Sequence, residues 1–261
     1  MKLSIWDRGI KVSSPKDPEL YAYLWFYEWH LFDAVRKGEH TGGTSDWEWT
    51  LDTEGEVAMS QSDWFEFTAT AKDDGADLLL KVTNTTDRSW PEIAAIIPCF
   101  NPGHDSPQRT NAIPNPRFFD DSHEHTYFIG ASGLDLLAGD APREIHFNQH
   151  QWINIKAWEK ERDDGQFVWH HKWPTSSRHA LAGALVRESE DRSQTMAIVW
   201  EDFISAQGHN PWKCMHLSVR VGPLQPGETK TIRGKIYLFK GSKEDFLAKL
   251  KKDFPALTSK E

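Results

Sequence analysis

The chain has 261 residues, 38% of them hydrophobic, with 30 Lys and Arg against 39 Asp and Glu, a formal charge of −9. It is too apolar for a disordered tail, has no run long enough to span a bilayer, and lacks the basic excess of a nucleic-acid or anionic-membrane binder. Its surplus lies in 13 Trp and 12 His, which supply flat apolar faces and imidazoles beyond what a core requires.

Met1–Ser14 has no apolar stretch of signal-peptide length, which implies a cytoplasmic protein, or an extracellular or periplasmic one whose leader has been removed. Asp17-Pro18-Glu19 reads as a helix start and Arg36-Lys37-Gly38 as a helix stop. Between them, Leu20–Val35 is apolar almost all round. Periodicity leaves helix and strand open there; the two fitting caps favour a buried helix over the strand that its aromatic density suggests.

After residue 44 the signals turn to strand. Asp63–Ala71 alternates, with Phe65, Phe67 and Ala69 on one face, and Lys72-Asp73-Asp74-Gly75 turns the chain into a returning strand, Asp77–Asn84. Asn84-Thr85-Thr86 is a glycosylation sequon of a kind that recurs by chance. Further strands are predicted at Glu92–Phe100, Thr126–Gly130, Glu144–Asn148, Trp152–Lys156, Phe167–His171, Leu181–Glu188, Thr195–Glu201, Lys213–Val221 and Thr229–Phe239. Residues 101–125, rich in Pro, Asn and His, form a long loop of the functional or mobile kind. Ser242–Phe254 is a terminal helix with Phe246, Leu247 and Leu250 on one face. The expectation is a mainly β protein: one large antiparallel sandwich over residues 1–261, an N-terminal helical segment (about residues 1–44) packed on it, and a C-terminal helix.

Four groups of residues carry candidate chemistry. Glu28, His30 and His40 precede Trp47-Glu48-Trp49, in which Trp47 and Trp49 share a strand face suited to stacking on a sugar ring. His104 follows Asn101-Pro102-Gly103 and could line a cleft. His123 and His125, in His-x-His spacing, would share one side of a strand; with His30 and His40 they are the candidates for a divalent metal. The most informative stretch is Trp200–Val221. There Met215, Leu217, Val219 and Val221 take one face, and Cys214, His216, Ser218 and Arg220 the other, which is polar without being ordinary surface. Gln207, His209, Asn210 and Trp212 sit in the loop before it, and Glu201 ends the preceding strand. This pattern predicts His209, His216 and Glu201 as acid/base residues, with Trp212, Asn210, Gln207, Lys213, Arg220, Trp47, Trp49 and His104 holding the substrate. Cys99 and Cys214 form no CxxC; they are buried thiols, one disulfide, or one of them is functional. There is no Gly-rich phosphate loop, HExxH or GxSxG, which sets aside nucleotide-dependent transfer, zincin proteolysis and α/β-hydrolase chemistry.

Asp77–Gly103 (DLLLKVTNTTDRSWPEIAAIIPCFNPG) resembles the central strands of galactose-mutarotase-like β-sandwiches, and Gly222–Phe239 (GPLQPGETKTIRGKIYLF) resembles their closing hairpin. Sugar epimerases of that superfamily carry a catalytic His in H-x-Y-F-N; the equivalent string here is Ile97-Pro98-Cys99-Phe100-Asn101, with Ile97 at the His position. His125-Thr126-Tyr127-Phe128 matches that string better, in a different strand. The resemblance implies a supersandwich fold and a carbohydrate partner. The expected function is a carbohydrate-active enzyme, closer to a lyase or epimerase than to a hydrolase. A non-catalytic carbohydrate-binding protein and a metal-dependent enzyme with a His-rich site are the alternatives.

Overall fold

A computed structural model describes residues 1–7, 9–30, 48–92, 94–102, 115–118, 123–137, 144–152, 175–208 and 213–258, the side chains of 27–30 excepted. Among these residues the strands form two antiparallel sheets. The seven-stranded sheet runs β1 (Lys2–Trp6), β2 (Gly9–Ser14), β3 (Asp17–His30), β8 (Ala95–Asn101), β15 (Met215–Arg220), β14 (Phe203–Gly208), β11 (Glu144–Phe147). The nine-stranded sheet runs β10 (Gly133–Leu136), β9 (Thr126–Gly130), β12 (Ala184–Glu188), β13 (Gln194–Trp200), β16 (Thr229–Lys240), β7 (Gly75–Thr83), β6 (Phe65–Lys72), β5 (Val57–Gln61), β4 (Trp49–Leu51).

The inner faces of the two sheets share one apolar core. Ile10, Val12, Ala22, Leu24, Ile96, Phe100, Met215, Leu217 and Val219 meet Phe65, Phe67, Leu78, Leu80, Ile198, Trp200, Ile232 and Ile236. Strand alternation puts every second residue on that face. Trp200 is fully buried there, and Gly234 on the neighbouring β16 makes room for it. A Cβ at Gly234 would stand 2.6 Å from the indole Cε3 and 2.7 Å from the Val199 carbonyl oxygen. The outer face of the nine-stranded sheet is covered by α1 (Lys243–Asp253), whose Phe246 and Leu250 pack on Ala197, Val199, Tyr237 and Phe239. Ser242 and Asp245 close a capping box at its start.

The N-terminal helix expected from Asp17 onward is a strand. In β3, Ala22, Leu24 and Phe26 enter the inter-sheet core, while Tyr21, Tyr23 and Trp25 lie buried on the opposite face. A strand buried on both faces has no polar stripe, so it reads like a buried helix. The start signal is real but serves a turn: the Asp17 carboxylate accepts from the Glu19 N–H at 3.2 Å where β2 turns into β3. The stop signal, residues 36–38, lies outside the described residues. So do the strand expected at 167–171 and that at 152–156, save Trp152. The Asn84 amide is fully buried and donates to the carbonyls of Arg88 (2.8 Å) and Leu224 (2.9 Å), so it is no glycosylation acceptor in this fold.

Candidate functional site

The outer face of the seven-stranded sheet is buried yet carries polar side chains. Register aligns four side chains across four strands: Trp25 of β3 opposite Cys99 of β8, Cys99 opposite His216 of β15, and His216 opposite Gln207 of β14. All four are buried, at 6%, 0%, 2% and 5% exposure. A surface face would be exposed and a core face apolar; this one is buried and polar, so its groups must be satisfied by one another or by something held against them. Some of that satisfaction is local. The Gln207 amide donates to Ser205 Oγ at 3.0 Å and Ser218 Oγ at 2.9 Å, and the two hydroxyls are 3.0 Å apart.

One end of the row is aromatic. The Trp6 and Trp25 rings stack at 5.4 Å with 4° between their planes, Trp6 lies 4.4 Å from Tyr23, and Lys11 Nζ sits 4.3 Å over the Tyr21 ring. Toward the other end of β15, Arg220 faces Asp202 at 3.7 Å. With its amide turned to satisfy both groups, Gln151 Oε1 accepts from Arg220 Nη1 at 2.5 Å and Nε at 3.2 Å. Arg220 is therefore committed to protein partners.

Cys214 stands two residues before His216 and shares its face. The Cys99 Sγ, Cys214 Sγ and a His216 ring nitrogen all lie within 4.8 Å of one another, a group that could hold a metal ion. Asn101 Nδ2 donates to Cys99 Sγ at 3.6 Å. The approach to Cys214 is fixed from the opposite sheet. Lys213 has φ 59°, and its carbonyl accepts from Arg187 Nη1 at 2.8 Å. Arg187, fully buried on β12, also donates to Thr126 Oγ1, the Phe118 carbonyl and His123 Nδ1.

The sequence-predicted residues divide accordingly. His216, Gln207 and Cys214 converge, and Arg220 and Ser218 follow on the same strand face. Glu201 does not join them. Its carboxylate accepts from the Arg233 N–H at 2.7 Å, at the start of β14, whereas Gln207 lies four residues past Phe203 on that strand, roughly 13 Å further on. Trp49 packs on the inter-sheet core against Phe67 at 5.6 Å and Phe26 at 6.4 Å, edge to face, with no place in the row. His123 and His125 do not lie on a strand. They sit in the turn before β9, where His123 has φ 57° and its Nδ1 accepts a hydrogen bond from Arg187 Nη2 at 2.8 Å. His209, Asn210, Trp212, Trp47, His104 and His40, and the His30 side chain, lie outside the described residues. The residues missed were Trp6, Trp25, Tyr23, Cys99 and Ser205. The signal for two of them was available: Ile97, Cys99 and Asn101 alternate with core residues, as do Ser205 and Gln207 around Ala206.

No protein-family model and none of the curated proteins matches the chain. Solved structures that do match include a galactose mutarotase related enzyme from Lactobacillus acidophilus, 10% identical over 90% of this chain and 91% of that one, with a TM-score of 0.43. A galactose mutarotase-like protein from Lactobacillus casei is 12% identical over 77% of this chain and 75% of its own, with a TM-score of 0.38. A polysaccharide lyase is 11% identical over 77% of this chain and 24% of its own, with a TM-score of 0.34.

Proposed function

We propose that the outer face of the seven-stranded sheet binds a carbohydrate and that the protein acts on it there, with His216 at the centre of the site. One observation carries this reading: a buried row that joins stacked indoles to an imidazole, an amide and two hydroxyls. A pyranose has the matching composition, with apolar C–H faces and a rim of hydroxyls that donate and accept. Because Arg220 is engaged by Asp202 and Gln151, the favoured ligand is a neutral sugar rather than a uronate. That moves the reaction away from uronate lyases and toward neutral-sugar chemistry. Glu201, held by Arg233, has no part in it.

A second reading, carbohydrate binding without turnover, is favoured by the lack of a carboxylate among the described residues of the row, since an acid/base imidazole usually works beside one. A screen of neutral and acidic oligosaccharides, scored for both binding and product, tests both readings. We expect a neutral sugar to bind, and Trp25→Ala and His216→Gln each to weaken binding at least tenfold. Leu79→Ala, an exposed position (43%) on the other sheet, should leave it unchanged. Product formation selects the enzyme. If no glycan binds, or if both row variants bind like the wild type, the site assignment is wrong.

A further inference from the structure

We infer that Cys99, Cys214 and His216 form a zinc site, with the three side chains as ligands and a fourth coordination position that no described residue fills. The inference deepens the carbohydrate reading, and it rests on that reading only for what the ion would do, not for where it binds.

The donor set sets the class of ion. Two thiols and an imidazole are soft to borderline ligands, and no oxygen donor belongs to the group; calcium and magnesium require oxygen, while zinc takes Cys and His together. Size agrees. Zinc–ligand bonds of about 2.0–2.3 Å place tetrahedral neighbours roughly 3.3–3.8 Å apart, so three atoms already within 4.8 Å of one another need shifts of about an ångström or so to close on an ion. The ligands are also pre-positioned. Cys99 and His216 are register partners on adjacent strands, and Arg187 fixes the Lys213 carbonyl next to Cys214. All three residues are almost fully buried, at 0%, 3% and 2% exposure, so a bound ion would be shielded from competing water.

The obvious competitor is a Cys99–Cys214 disulfide, and register argues against it. Phe100 pairs with Met215 and Cys99 with His216, which leaves Cys99 and Cys214 diagonal to each other. Diagonal residues on neighbouring strands lie about 7–8 Å apart, beyond the separation of about 7 Å that a disulfide spans without backbone movement. No disulfide joins the two. A zinc ion tolerates a wider separation, because tetrahedral sulfur ligands stand roughly 3.8 Å apart, against about 2 Å in a disulfide. Among the described residues three ligands converge, the number that a catalytic zinc site draws from its protein. Placed in the row, the ion would polarise a sugar hydroxyl or carbonyl oxygen as a Lewis acid, with His216 acting as its ligand instead of as a proton carrier.

The test uses the full chain, isolated under reducing conditions, loaded with Zn2+ and dialysed. We expect one zinc per chain. After chelation, added Co2+ should give the strong near-ultraviolet absorption of thiolate-to-cobalt charge transfer. Cys99→Ser, Cys214→Ser and His216→Gln should each lower zinc affinity at least tenfold, and the cysteine variants should weaken the cobalt band. If a variant does not fold, the wild-type cobalt spectrum and stoichiometry still decide. Absence of stoichiometric zinc, absence of the band, or affinity undiminished in all three variants would each overturn the site. Sugar binding is measured separately on zinc-loaded and chelated protein. Zinc bound with no sugar bound upholds the metal site and removes the carbohydrate reading; sugar bound without any zinc does the reverse.

Discussion

His146 is a side chain whose placement has a consequence far from the row. It is fully buried between the sheets, stacked on Phe128 at 4.2 Å, with Nε2 3.3 Å from a Glu144 oxygen that Arg178 also holds, at 3.1 Å. Burial, joined by the nearby Arg178 charge, lowers its pKa from 6.5 to about 4. As pH falls, the unfolded chain therefore takes up the proton first. The stability His146 supports is complete above pH 6.5 and is lost as pH falls toward 4. The loss amounts to at most about 3 kcal/mol for a shift of that size. Urea unfolding at pH 7 and pH 4.5 should show a drop in the wild type and a smaller one in His146→Gln. Equal drops would mean the imidazole is not the group responsible. Arg187 shows the same dependence on surroundings: it is a buried guanidinium whose donors hold three loops' worth of acceptors, and nothing in its local sequence marks it as more than a strand residue.

At the scale of elements, β6 and β7 were legible because their residues alternate between buried and less buried positions. Phe65, Phe67 and Ala69 point inward as their spacing requires, and β9 and α1 fall within a residue or two of their expected limits. The failures have two physical causes. A strand buried on two sides, such as β3, loses the polar half of its pattern, and short strands such as β4 and β10 are defined by their partners more than by their own residues. The candidate site divides along the same line. The face carrying Cys214, His216 and Ser218 could be read from alternation alone. That Cys99 and Trp25 complete it could not, because pairing across strands so far apart in sequence is set by the whole sheet. One element-level prediction follows from the Trp200 slot. Gly234→Ala brings a methyl against the indole and a backbone carbonyl. It should cost about 1–3 kcal/mol, read as a lower urea midpoint, with the loss partly recovered in Trp200→Phe background. A neutral Gly234→Ala would mean that β16 can move away from β13.

Seen whole, the molecule is tied together by pairings between distant parts of the chain. β7 pairs along its length with β16, Thr83 opposite Thr229, and β3 pairs with β8 and β8 with β15. Closing such long loops before the contacts form makes all-β proteins slow folders. Refolding from urea, followed by Trp fluorescence in stopped flow, is expected on the scale of about milliseconds to seconds or slower, not microseconds. A dominant microsecond phase that recovers native signal would show that local structure governs instead. The register of β15 has one more consequence. The same alternation that seats Met215, Leu217 and Val219 in the core turns Cys214, His216 and Ser218 to the other side. Core and site are therefore two readings of one alignment, and the chain cannot correct one while leaving the other wrong. A single-residue insertion in β15 would exchange the two faces outright. The chemistry of the row can thus be revised by substitution, residue by residue, whereas a length change in that strand disturbs core and row together unless a bulge absorbs it.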